Sequence, residues 1–107
     1  DSTSISFLKN VLDDEEPNIR WDAALSLAKF NDKSGYGIIK NLLTREYYEN
    51  FPEVDVNEID NAILIVLGIV SNIETKDFYD ELSVLSSEKE KNIKIREFAM
   101  KILSEYY

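Results

Sequence analysis

Carboxylates are the only chemistry-bearing side chains present in number. The 107-residue chain has 21 Asp and Glu, and no His or Cys. That composition removes thiol nucleophiles, disulfides, imidazole acid–base work and the usual zinc sites together. Tight transition-metal binding is expected to be absent, and no cofactor is expected. The densest acids, Asp13-Asp14-Glu15-Glu16, invite comparison with a calcium loop. Such a loop needs acids at alternating positions and a sharp glycine turn. This run has neither and reads as an inter-helix turn with capping acids. A glycosidase-type pair needs a cleft and one carboxyl raised by burial, and no spacing here suggests one. Gly35-Tyr36-Gly37 echoes a phosphate loop but lacks the longer glycine pattern and a following Lys-Ser, so it reads as turn chemistry. The residues point away from an enzyme.

Charge narrows the partners. The net charge is −9, and it is uneven: residues 1–87 carry 17 acids and 7 bases, residues 88–107 carry 4 and 5. Such a surface repels phosphate backbones and anionic lipid, so neither nucleic acid nor a membrane is an expected partner. The excess keeps a small protein soluble and monomeric, and it could also form an acidic docking face. No apolar run approaches the roughly 20 residues of a membrane span. A chain opening on Asp1 is expected to be a processed product or a segment of something longer. Nothing resembling a signal peptide remains, and a cytoplasmic location is favoured.

The elements that position these residues read as helices. Gly is scarce at 3 and Pro at 2, which argues against many tight β turns. Six segments show helical spacing: Ser4–Leu12, Pro17–Phe30, Tyr36–Tyr48, Asn57–Asn72, Lys76–Ser86 and Lys91–Tyr106. Pro17 suits the first turn of its helix, and the acids before it sit at that helix's positive end. Thr75 or Glu74 is placed to cap the fifth helix. Predicted core residues include Ile19, Ala23, Ala24, Leu27 and Phe30, then Ile38, Ile39, Leu42 and Leu43, then Phe78, Leu82 and Leu85, then Ile95, Ala99, Ile102, Leu103 and Tyr106. Ala62–Val70 has no polar side chain, which suits a helix covered on most sides. Tyr47, Tyr48 and Phe51 cluster before the longest connection, and Tyr106 and Tyr107 end the chain. Both groups suit cap packing, or a hot spot.

The even-numbered helices repeat. Ile19-Arg20-Trp21-Asp22-Ala23 aligns with Ile59-Asp60-Asn61-Ala62-Ile63 and with Ile95-Arg96-Glu97-Phe98-Ala99, and a leucine follows eight places on at Leu27, Leu67 and Leu103. A period of this size in a helical chain signals stacked helix pairs. Leu12-Asp13-Asp14 followed by Pro17-Asn18-Ile19-Arg20-Trp21-Asp22-Ala23-Ala24-Leu25-Ser26-Leu27-Ala28 resembles a HEAT repeat. More narrowly, it is similar to the short HEAT-like repeats of bacterial repeat proteins and phycobilisome lyases, where an Asp-containing turn precedes Val-Arg-x-x-Ala-Ala-x-x-Leu. The middle unit departs, with Asp60 in place of the arginine and a stretched loop before it.

The resemblance implies an all-α fold. It would be a right-handed α-solenoid of about three helix pairs, one domain with units near 4–30, 34–72 and 76–107, odd helices convex and even helices concave. It implies a non-catalytic scaffold that binds a protein or peptide. Alternatives are a lyase-like or enzyme-associated protein, or a structural support for a neighbouring domain. The absence of His excludes the His-Glu iron sites of some HEAT-repeat enzymes, and the acidity is unlike the basic concave face of HEAT-like DNA glycosylases. If equivalent positions stack, Arg20, Asp60 and Arg96 form a plus–minus–plus ladder. The alignment also places Trp21, Asn61 and Glu97, then Leu25, Ile65 and Lys101, then Lys29, Ile69 and Glu105 beside the core stripe. Trp21, Leu25, Asn61, Ile65, Ile69 and Lys101 are therefore the candidate partner-binding residues, an apolar patch rimmed by charge. The alternative is that the apolar members pack on one another.

Overall fold

The computed structural model describes all residues, 1–107. The chain is all-helical, with 69% of residues in helix and no strand. It has six α-helices: α1 (Ser2–Asn10), α2 (Pro17–Lys29), α3 (Tyr36–Leu42), α4 (Val56–Val70), α5 (Tyr79–Leu85) and α6 (Ile93–Tyr106). Two 3-10 segments, Lys33–Gly35 and Arg45–Asn50, accompany them. No helix is long and apolar enough to cross a membrane. The chain divides into two compact units, Asp1–Ile39 and Lys40–Tyr107, and the division falls within α3.

In the first unit, Pro17 opens α2 where its missing N–H costs nothing. The Asp14 carboxylate accepts from the Glu16 N–H at 2.9 Å, so the acidic run is the turn its sequence suggests. The buried face of α2 is Ala23, Ala24, Leu27 and Ala28. Ile19 and Phe30, expected in the core, are 43% and 51% exposed. Both sit at the ends of the helix, where the neighbouring chain no longer covers the stripe. The small alanines let the 3-10 turn Lys33–Gly35 approach closely. Gly35 is buried, and a Cβ built there would lie 2.6 Å from the Ala24 Cα.

Helix α2 ends in a Schellman turn. The Asp32 N–H donates to the Leu27 carbonyl and the Asn31 N–H to the Ala28 carbonyl, both at 2.9 Å. The geometry needs a left-handed residue, and Asn31 supplies it with φ 61°. Asn31→Gly should hold or slightly raise stability, whereas Asn31→Val should cost about 1–2 kcal/mol because a β-branched residue is strained there. Urea denaturation of both variants checks this.

In the second unit, helix 3 stops earlier than its spacing predicts. α3 ends at Leu42, and the Arg45–Asn50 stretch is 3-10. Two bonds hold the break. The Thr44 hydroxyl donates to the Lys40 carbonyl at 2.8 Å, and the Tyr48 hydroxyl to the Leu42 carbonyl at 2.6 Å. Tyr48 is buried, with Tyr47 edge-on at 5.8 Å and Phe51 edge-on to Tyr47 at 5.4 Å. Within this trio, Tyr48 is core rather than hot spot. Burial pushes the Tyr48 phenol up to about 12.

α4 begins with a capping box. The Asp55 carboxylate accepts from the Glu58 N–H at 2.9 Å, and Glu58 accepts from the Asp55 N–H at 3.1 Å. In its apolar stretch Ile63, Val66, Leu67 and Val70 are buried, Ala62, Leu64, Gly68 and Ile69 are partly buried, and Ile65 alone is exposed, at 62%. The helix is covered on most sides, as the composition suggests, and opens at Ile65. α5 starts at Tyr79, three residues later than expected. The Thr75 hydroxyl accepts from the Asp77 N–H at 3.1 Å, so Thr75 caps a turn ahead of the helix rather than the helix itself. The predicted core residues Phe78, Leu82 and Leu85 of this segment and Ile95, Ala99 and Ile102 of α6 are buried, whereas Leu103 and Tyr106 are partly exposed. Tyr106 nonetheless ties the end of α6 to that of α4, its hydroxyl donating to the Ser71 carbonyl at 3.0 Å.

Candidate functional site

One cation organises the second unit. Arg45 opens the 3-10 segment and forks onto Glu90, its Nε donating to Oε1 at 2.7 Å and its Nη2 to Oε2 at 2.6 Å. The same Nη2 donates to Asp60 Oδ1 at 2.6 Å. Asn92 closes the circuit: its Nδ2 donates to Asp60 Oδ2 at 3.0 Å and its backbone N–H to Glu90 Oε2 at 2.9 Å. The Asn92 carbonyl oxygen Oδ1 accepts from the Ile95 N–H and so caps α6. Glu90 is the one buried charged residue, 3% exposed.

Burial opposes ionisation of Glu90 and Asp60, but the Arg45 guanidinium, with Asn92, outweighs it and holds both carboxyls below their ordinary values of 4.5 and 3.8. Arg45 is in turn raised, chiefly by its bonds to Glu90. Carboxyls depressed in the folded state bind protons more readily when unfolded. Their contribution is therefore complete above their ordinary values and is lost as pH falls through the folded ones. The urea midpoint should be flat from neutrality to about pH 5 and fall below about 4.5. A midpoint unchanged at pH 3.5 would remove Arg45 from this role.

Asp60 was expected to bridge Arg20 and Arg96 in a ladder. Instead it takes its cation from Arg45, and each arginine staples its own loop. Arg20 Nη1 donates to the Asp14 carbonyl at 2.7 Å and the Glu15 carbonyl at 3.2 Å. Arg96 Nε donates to the Glu90 carbonyl at 3.1 Å. The two staples match in detail. Each reaches back six residues to an acidic residue whose carboxylate accepts the N–H two places on. Where Asp60 replaces the arginine this staple cannot form, and the capping box of Asp55 and Glu58 organises that turn instead.

Arg45 also stands between two depressions. The larger, about 530 Å³, lies between the 3-10 segment Arg45–Asn50 and α5. One wall carries Glu46 and Glu49, three apart and so on one side of a 3-10 turn. The other carries Asp80 with Val84 and Glu81 with Leu85, each pair one helical turn apart. Leu43 and Leu85 are buried at its base, and Val84 is 55% exposed. The smaller, about 470 Å³, has Asp60, Lys91 and Val56 along its sides.

The residues expected to bind a partner are divided between the two units in sequence. Trp21 and Leu25 lie in the first unit and are partly exposed. Asn61, Ile65 and Ile69 share a stripe of α4, with Asn61 and Ile65 exposed and Ile69 partly buried, and Lys101 is exposed on α6. The groove and the Arg45 cluster were not anticipated. Asp60 was the available signal, because an acid replacing a recurring arginine needs a cation from elsewhere. No group of three or more acidic, His or Cys side chains is arranged to hold a metal. Comparison of the chain with known protein families, curated proteins and solved structures returned no match.

Proposed function

We propose that this chain is a non-catalytic helical-repeat module that holds a segment of a partner protein in the groove of its second unit. The observation that carries the reading is that groove: about 530 Å³, with the apolar Val84 side chain 55% exposed inside it. Concave surfaces with an apolar base and polar rim suit a partner's side chains. The Arg45 cluster argues for a structural rather than catalytic use of Glu90 and Asp60. Carboxyls ion-paired and held low make poor general acids at neutral pH. The matched arginine staples support placing the chain among HEAT-like repeats, stacked as a right-handed solenoid, and the acidic excess disfavours nucleic acid as the partner.

A second reading puts the partner on α4, because Ile65 is 62% exposed in the middle of an otherwise apolar stretch. Affinity capture from lysate with the wild type, Val84→Glu and Ile65→Glu separates them. On the first reading Val84→Glu loses partners that Ile65→Glu retains. The reverse pattern moves the site to α4 with Asn61 and Ile69. Capture unaffected by either change rejects the module reading at both surfaces.

A further inference from the structure

We infer that the groove takes a cationic, extended segment of a partner protein, seating a lysine or arginine between its two acidic walls and an adjacent apolar side chain on Val84. This rests on the reading of the groove as the partner site. Four acidic residues outside the Arg45 cluster line it, Glu46 and Glu49 on one wall and Asp80 and Glu81 on the other. Arg45 does not neutralise them, because its single charge is already exceeded by Glu90 and Asp60, which accept from its Nε and Nη2. Lys89 is then the only cation at the rim against those four.

Charge complementarity selects the occupant: an incoming ammonium or guanidinium supplies the donors and the opposite charge that these acidic walls lack. Dimensions favour an extended chain. A six-residue 3-10 segment runs about 12 Å at roughly 2.0 Å per residue. That length matches about three or four residues of extended peptide at roughly 3.3 Å each. In an extended chain residues two apart point the same way, so a lysine or arginine and an apolar residue two positions on would both enter the groove, one between the acidic walls and one on Val84.

The test uses the full chain and a fluorescently labelled short peptide in which lysine and leucine alternate at every second position with serine between them, read by anisotropy. Saturable binding is expected, weakened at least about tenfold in Glu49→Gln/Asp80→Asn, as loss of desolvated charge pairs predicts. Glu74→Gln/Glu97→Gln, which removes the same charge from exposed residues of the same unit that do not line the groove, should leave binding within about threefold, as exposed charges are screened by salt. Equal weakening in the two double variants would mean attraction by net charge alone and would overturn the inference. So would spermine binding as tightly as the peptide, since the groove would then be a sink for any polycation. Circular dichroism and urea midpoints of both variants separate lost binding from lost folding. If Val84→Glu abolishes partner capture while the lysine–leucine peptide fails to bind, the cationic assignment falls and the module reading stands. If neither groove variant alters capture or peptide binding, both fall.

Discussion

Arg45→Ala is expected to destabilise the second unit by about 3–5 kcal/mol, the usual cost of stranding a buried charge. The Glu90 side chain is 2% exposed, so without the fork its carboxylate keeps only the Asn92 N–H. Asp60, with its side chain 18% exposed, keeps the Asn92 amide and regains some water. The variant should reverse the pH behaviour of Glu90. With the cation gone, burial dominates and raises that carboxyl. A raised acid favours the folded state only where it is protonated, so the penalty should shrink as pH falls from 7 towards 4. Glu90→Gln in the same background should recover part of the loss, because it replaces a stranded charge by a neutral group of equal size. Urea denaturation of the four members of this cycle at both pH values reads each term. Residue-resolved hydrogen exchange assigns the loss to residues 40–107. A loss below about 1 kcal/mol at pH 7 would class the pair with ordinary surface ion pairs.

Gly35→Ala should cost the first unit about 3 kcal/mol, the upper part of the range for an overpacked core. The added methyl would lie 2.6 Å from the Ala24 Cα and 2.7 Å from its Cβ. Backbone cannot rotate away as a flexible side chain can, so α2 and the 3-10 turn must part. Ala24→Gly added to it should return little, since the Cα remains and glycine costs a helix interior about 1 kcal/mol. Gly37→Ala is the control. Nothing lies within 4 Å of a Cβ there, and a gain of about 0.5–1 kcal/mol is expected from alanine in a helix. Thermal unfolding of the three variants decides the matter, and Gly35→Ala melting with the wild type would refute the close approach.

Helical periodicity made six helices legible because apolar stripes at three- and four-residue spacing survive in every segment. It failed where hydrogen bonds outside the pattern intervene. Leu42 and Leu43 extend a helical stripe towards Tyr48, yet Tyr48 spends its hydroxyl on the Leu42 carbonyl and turns the chain into a 3-10 segment. Thr75 looks like a helix cap but caps a turn. Ile19 and Phe30 fit the stripe of α2 and still reach water, because a stripe says which face is apolar and not how far a neighbour extends over it. The site was less legible. Glu46 fell within the expected third helix and Glu49 in the connection after it, so no spacing paired them, whereas the 3-10 segment carries both and aligns residues three apart. Glu90 was one acid among 21, and its burial depends on a partner 45 positions away.

That sequence separation has a kinetic meaning. The arginine staples close six-residue loops, which form early and at small entropic cost. The Arg45–Glu90 fork must wait until the intervening chain has assembled. An interaction completed after the folding barrier leaves the rate of climbing it nearly unchanged and slows only the way back. Arg45 would thus set the lifetime of the folded second unit rather than the speed at which it forms. In a denaturant chevron, Arg45→Ala should shift the unfolding limb upward and leave the refolding limb in place.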